Sequence, residues 1–574
     1  MRYRNNSLVR TASPEMPMNE PAAIQTTAYQ IATWLARQVS DDGFPARSFY
    51  GEAFTLWLWQ FFPGEFEDAA NKLHPIALRQ LTRQDMAAHP EFNAWALLHL
   101  CRQTGQPIQA LMPQLPQLNN TPNSNWLLLG TLVRLMWNQQ RGEKIPLWRL
   151  RWHTRLLLAM QQQADGLIRD DRLISRRLPL PFPYGRTTPL RLQKMLHLQK
   201  LSLQYHCFSL VLLWDILQIT GWGFVKTAVQ RGHQAIGRFI LANGDTLYIG
   251  RGQQQIFGYG ALIYFLAALA ATGRQAAAGQ LEQVWAFVQA FQREDGRFPL
   301  VLRPGESGYP KIVDTSDPCW LGWYGYNNLF DYLPFLGVML ARAAQLQSEF
   351  TPASVPHHRQ PVELTPQFAF VRQPAWQMTL AAPGGALSQD QPMPYLCLHG
   401  QSILPCFGGE EGDDKPYRLT LLPLPYLGLG NGRFLFLRHE MSWQFIQANL
   451  QPPILLIGRC RWGRLLRYFR WEANKIVIED SLTLHANRLP AGVETVYPLV
   501  FTAFELAALA DGRFQITPSS VPAILTLKGQ QGKLDILPGY TPAGSTQTVR
   551  EALPWPISQT SFQRRYTISW TEQT

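Results

Sequence analysis

Charged side chains make up only 16% of this 574-residue chain, against about a quarter in an ordinary globular protein, which excludes long solvated or disordered charged tails. Cysteine is equally thin. The six residues Cys101, Cys207, Cys319, Cys397, Cys406 and Cys460 stand far apart with no CxxC, so neither a zinc ribbon nor a disulfide scaffold is indicated. The second-half histidines, His357, His358, His399, His439 and His485, show no HxH or HxxxH spacing, and no metal or cofactor is expected. The opening MRYRNNSLVRTASPEMPMNEP has charge but no apolar core, and the most apolar run, FSLVLLWDILQITGWGF, is interrupted by Asp215. Neither a signal peptide nor a membrane span is therefore expected, which suggests a cytoplasmic protein, with a periplasmic location or another export route left open.

Aromatic residues are what the chain has in surplus. They reach 12%, with 19 Trp and 19 Tyr, more flat amphipathic surface than cores alone require, and such surplus commonly lines ligand clefts. The net charge of +12 is concentrated: Arg141 to Lys200 holds 13 Lys or Arg against Glu143, Asp165, Asp170 and Asp171, a local excess of nine. That points to an anionic partner. Nucleic acid is not expected, because no zinc-finger spacing, basic heptad region or RNP-like motif is present. An acidic polysaccharide or oligosaccharide accounts for both the charge and the aromatics.

From about residue 20 to 345 amphipathic helical patterns recur, as in YQIATWLARQV, NWLLLGTLVRLMW and LEQVWAFVQAFQ. Between them a related phrase returns: SDDGF at 40, QADGLIRDD at 163, ANGDTLYIG at 242 and REDGRF at 293. Asp-Gly or Gly-Asp closes one helix and a short extended loop leads into the next. This repetition predicts an α/α toroid with its loops gathered at one end. Beyond the Pro-rich TPASVPHHRQPVELTPQ, short β-branched runs such as PILLIGRC, NKIVIEDSLTL and RRYTISW predict an antiparallel β-sandwich. The expected organisation is multidomain α+β: an extended or disordered N-terminus at 1–20, an (α/α) toroid at 21–347, a linker at 348–362 and a β-sandwich at 363–574.

The stretch LSLQYHCFSLVLLWDIL at 201 to 217 opens an apolar helix with two proton-carrying groups, Tyr205 and His206. Either they hydrogen-bond to a neighbouring loop, or they move a proton in a cleft. The order of the two halves, with QADGLIRDD before YHCFSLVLL and NGDTLYIGRGQQQIFGYGALIYFL after it, resembles the polysaccharide lyases of the heparinase II/III and alginate lyase kind. NSNWLLLGTLVRL, with Asn125 and Trp126, looks like the Asn-Trp helix start that such toroids place beside substrate, and KIVIEDSLTL looks like a strand of their sandwich. The resemblance implies a catalytic His206 and a catalytic Tyr259, 53 positions on. Two departures stand out: those lyases have Asn before the His, where this chain has Tyr205, and Phe257 competes with Tyr259 for the Tyr position.

β-Elimination removes the C5 proton of a uronate, so it needs a neutralised C6 carboxylate, a base, and an acid at the O4 leaving group. His206 suits the base or neutraliser, since imidazole titrates near neutral pH. Tyr259, or Tyr205 in its place, suits the acid. Arg251 in GRG could grip a carboxylate as a fork, and Asn125 and Gln254 could hydrogen-bond to it. Trp323, Tyr324, Tyr326, Asn327 and Asn328 in TSDPCWLGWYGYNNLFDYLPFLG suit sugar rings, with Arg47, Tyr50 and Glu52 as an opposite wall. A competing expectation is a glycoside hydrolase using a carboxylate pair among Asp41, Asp42, Asp295, Asp314, Asp317 and Asp331. Another is a polysaccharide-binding or assembly protein without chemistry.

Overall fold

The structure, a computed structural model, describes residues 20–46, 48–82, 89–105, 112, 115, 118, 123–141, 146–170, 201–250, 252, 254–302, 328–347, 361–382, 393, 395–404, 426–428, 434–436, 442–447, 452–460, 462–488, 494–503, 505–517, 522–528, 533–541, 544–555 and 560–571. Its helices are α1 Glu20–Ala36, α2 Gly51–Trp59, α3 Glu67–Thr82, α4 Pro90–Thr104, α5 Ser124–Arg141, α6 Leu147–Gln161, α7 Leu203–Thr220, α8 Gly223–Phe239, α9 Ile256–Ala270, α10 Gln275–Gln289 and α11 Leu329–Gln347. Helices α2, α4, α5, α7, α9 and α11 each pack on the next, and α11 packs back on α2 to close a ring. The intervening helices line its outside.

Sequence pattern explains the two shells. Every residue of α2 and of α9 is buried, as expected for helices apolar on all faces. By contrast α8 buries one stripe, Val225, Ala228, Val229, Gly232, Ala235, Ile236 and Phe239. Aromatic rings fill the centre: Phe92 stacks on Phe208 at 5.3 Å, Phe208 meets Phe257 at 5.1 Å, and Phe257 stacks on Phe335 at 4.1 Å. The ring is therefore a packed core, closed along its axis, with any cleft at an end.

The strands are β1 Val362–Leu364, β2 Phe368–Arg372, β3 Trp376–Ala381, β4 Tyr395–Leu398, β5 Gln401–Ser402, β6 Tyr426–Gly428, β7 Phe434–Phe436, β8 Ser442–Gln447 and β9 Ile454–Cys460. They continue with β10 Gly463–Glu472, β11 Lys475–Leu484, β12 Glu494–Ala503, β13 Glu505–Ala508, β14 Arg513–Thr517, β15 Ala523–Lys528, β16 Lys533–Thr541, β17 Gly544–Trp555 and β18 Ser561–Trp570. Described strands form three antiparallel sheets, ordered β1-β2-β3-β4-β5, β13-β14-β15-β18-β11-β10-β9-β8 and β16-β17-β12-β6-β7. The first is an interlayer. On β2, Phe368 and Phe370 join the helical core while Ala369 and Val371 join the core of the sheets, as alternation along a strand requires. Phe239 of α8 meets both phenylalanines edge-on, at 5.0 and 4.9 Å. Inside the large sheet, Arg467 and Asp480 are directly opposite on β10 and β11 and form a fully buried bidentate pair, 2.6 Å at both contacts.

Candidate functional site

The helix that opens with Tyr205 and His206 is capped by Ser202, whose Oγ accepts from the Tyr205 amide at 3.3 Å. His206 turns inward and is fully buried. Its Nδ1 accepts from the Ile168 amide at 3.0 Å, and its Nε2 lies 3.2 Å from the Gly232 carbonyl, which fixes the neutral Nε2–H tautomer. Burial pushes its pKa down to about 4, against a small opposing effect from Gly232. His206 thus ties the 163–170 loop to α8, with both ring nitrogens engaged in the interior.

Tyr259 is also fully buried. Its hydroxyl lies 2.8 Å from Gln254 Oε1 and 3.1 Å from Asp245 Oδ1, and accepts from the Thr246 amide at 3.3 Å. Gln254, at φ +60, donates Nε2–H to the same Asp245 oxygen at 2.5 Å. Tyr395 of β4 donates to the other oxygen at 2.9 Å. Tyr259 and Gln254 therefore belong to a polar latch between the helical ring and the first sheet.

What does gather at one end of the ring is the first turn of each inner helix. Tyr50 precedes α2 and stacks on Phe92 of α4 at 4.5 Å. His89 caps α4 from a left-handed backbone, φ 47, which a non-glycine residue adopts at a cost of about 1 kcal/mol or more. Its ring is pinched between Trp126 of α5, stacked at 5.1 Å, and Phe49, edge-on at 5.3 Å. Burial among these rings brings the His89 pKa down to about 4. Tyr205 of α7 leans on Phe257 of α9, 6.4 Å away, and Phe257 contacts Tyr332 of α11 at 5.2 Å. Of the residues singled out in the sequence, Tyr50, Trp126 and Tyr205 are brought to this end. Asn125, next to Trp126, accepts that residue's amide at 2.9 Å.

His89 and Tyr332 were not among the sequence candidates. The signal for His89 was a His-Pro pair opening HPEFNAW, with Pro90 at the first helical position. Arg47, Arg251, Trp323, Tyr324, Tyr326 and Asn327 lie outside the described residues, as do Asp314 and Asp317.

Asn328 is described, and its contacts are with its own helix. It donates to Asp331 Oδ2 at 2.6 Å and accepts from the Asp331 amide at 2.9 Å. Asp331 Oδ1 in turn accepts the amides of Phe49, Tyr50 and Gly51, each at 2.9 Å. Burial raises its pKa to about 7, opposed by those amides and by Asn328, and aided by the charge of Glu52. Ser48 Oγ bridges Glu52 and Asp331, and Gln80 donates to Glu52 at 2.8 Å. This carboxylate pair pins α11 to the start of α2 and is enclosed. The other described acids of the hydrolase expectation are on exposed loops: Asp41 pairs with Lys72 at 3.0 Å, Asp295 with Arg297 at 2.8 Å, and Asp42 is exposed. Among the described residues no group of three or more His, Cys, Asp or Glu is placed to hold a metal.

No protein-family model and no curated protein sequence matches this chain. Solved structures match its fold. Xanthan lyase from Paenibacillus superposes with a TM-score of 0.52 at 10% identity, over 98% of this chain and 58% of that one. Chondroitin AC lyase from Streptomyces coelicolor A3, in complex with chondroitin sulphate, gives 0.49 at 10% identity, over 98% and 81%. A family 88 glycosyl hydrolase from Bacteroides vulgatus gives 0.37 at 11% identity, over 57% and 99%. The fold, an α/α toroid followed by antiparallel β-sheets, is shared with the Paenibacillus xanthan lyase.

Proposed function

We propose that this chain is an enzyme acting on polysaccharide, and that it cleaves an acidic, uronate-containing polymer or oligosaccharide by β-elimination at the ring end formed by the inner-helix first turns. The observation that carries this reading is the set Tyr50, His89, Trp126, Tyr205 and Tyr332, contributed by five different helices to one end. Flat rings suit the CH faces of sugars. Six helix N-termini at the same end favour a carboxylate, as does the net charge of +12. The fold shared with a xanthan lyase supports this chemistry.

The roles follow from position. His89, held neutral by its surroundings, is available as the base that takes the C5 proton. The Tyr205 hydroxyl serves as the acid for the O4 leaving oxygen. Asn125 holds the C6 carboxylate, whose neutralisation lets charge spread as the proton leaves, and Arg251, assigned from the sequence alone, is proposed to share that task. No metal or cofactor enters this scheme.

Elimination leaves a conjugated C4–C5 double bond, so ultraviolet absorbance during incubation with uronate-containing polymers is the direct assay. A rise that falls at least about a hundredfold in His89→Ala and Tyr205→Phe, with both variants folded, is expected from the loss of base and acid. New reducing ends without absorbance would instead favour hydrolysis, and binding without either product would favour a recognition protein.

A further inference from the structure

Helix α6 is an outer helix that buries only Leu150, Thr154, Leu157, Leu158 and Gln161. Its opposite side is apolar as well. Trp148 is 67% exposed, Trp152 60%, Leu147 56% and Leu156 40%. Trp148, Trp152 and Leu156 recur every four residues, which aligns them along one outward face. Of eight large hydrophobic residues exposed in the described structure, four are on this helix.

The rest of the exposed surface of α6 is Arg149, Arg151, His153, Arg155 and Ala159, and the helix has no acidic residue. Arg149 lies over the Trp148 ring, 5.3 Å from its centroid. The combination is tryptophans and leucines facing outward with guanidinium groups on both flanks. A core contact does not need it, because the core stripe is already satisfied on the other side.

We propose that the outward face of α6 docks on an anionic lipid surface, lying in the headgroup plane. Indole rings settle at that boundary, leucines reach the acyl region, and arginines extend along the apolar surface to the phosphates. Two other occupants fit less well. An acidic sugar polymer would meet the arginines and indoles, but the exposed Leu147 and Leu156 gain nothing from hydroxyl-rich rings and fit acyl chains instead. A second copy would bring one all-cationic face against another. No described helix is long and apolar enough to cross a membrane, so the contact is with the surface.

The test is co-sedimentation of the full chain with phosphatidylcholine vesicles, with and without a third of phosphatidylglycerol, at low and physiological salt. Binding is expected to the anionic vesicles only. The triple variant Arg149→Gln/Arg151→Gln/Arg155→Gln is expected to weaken it about a hundredfold, from three lost headgroup contacts. Trp148→Ser/Trp152→Ser, which leaves the charge unchanged, is expected to weaken it at least about tenfold. All changed side chains are exposed, so an unaltered thermal midpoint should accompany both variants. Three outcomes overturn the proposal: no vesicle binding at low salt, binding that ignores the tryptophan changes, or a vesicle-blind face whose tryptophans are instead needed for retention on polygalacturonate or for self-association.

Discussion

A histidine locked into its neutral tautomer makes the fold acid-sensitive. The pKa of His206 falls from an ordinary 6.5 to about 4, so the unfolded chain holds that proton more tightly than the folded one. Its contribution is complete above pH 6.5 and is lost as pH falls towards 4. At 1.36 kcal/mol per unit the full effect is about 3 kcal/mol. His206→Gln should lower stability at pH 7.5 by about 2 kcal/mol and flatten the decline between pH 7 and 5, as followed by thermal unfolding. Equal slopes would remove the assignment. His99, also interior and also shifted down, keeps part of the slope in place. Asp331 acts in the opposite sense: raised to about 7, its contribution is present below about pH 4 and fades as pH rises through 7. The sequence signalled that Tyr205 and His206 were unusual but not which way they point. Their helix is apolar on every face, and Tyr259 bonds Asp245 fourteen positions away while Asp245 meets Tyr395 one hundred and fifty away.

The Asp-Gly loops were more legible, because a turn is specified by the few residues within it. Gly43, Gly166, Gly244 and Gly296 all have φ between +83 and +99. Three of them also touch backbone: a Cβ on Gly166 would lie 2.2 Å from the Arg231 carbonyl oxygen, one on Gly244 2.0 Å from that of Gln283, and one on Gly296 3.0 Å from that of Gln30. Gly166→Ala and Gly244→Ala should each cost about 3 kcal/mol or more in chemical denaturation. Gly43→Ala, which meets only the end of the Ile76 side chain at 3.2 Å, should cost about 1 kcal/mol. Comparable losses at all three sites would contradict the role of backbone contact. Strands β9, β11 and β18 stood out in the sequence as β-branched runs. Strands β2 and β3 did not, since an interlayer buries both faces and erases the alternation that marks a strand.

At the scale of the molecule, ring and sheets share one interface. Tyr248 bonds Thr379 at 2.9 Å, Arg238 meets Glu363 at 2.5 Å, and Asn243 donates to the Gly400 carbonyl at 2.9 Å. Removing one hydroxyl from this interface, in Tyr395→Phe, leaves Asp245 Oδ2 without that donor in a buried setting and should cost about 1–3 kcal/mol. The effect should appear as earlier protease cleavage between residues 347 and 362. Unchanged cleavage would mean that the two parts are held by apolar contact alone.

Ring closure has a consequence for how the protein is made. Helix α2 finds its final neighbour only when α11 exists, and the amides of Phe49, Tyr50 and Gly51 wait for Asp331, some 280 residues later. At about 5–20 residues per second, the ribosome takes tens of seconds to deliver it. Through that interval Phe54 and Trp57 lack their last covering helix, and the nascent chain presents an open apolar arc that folding helpers are suited to shield.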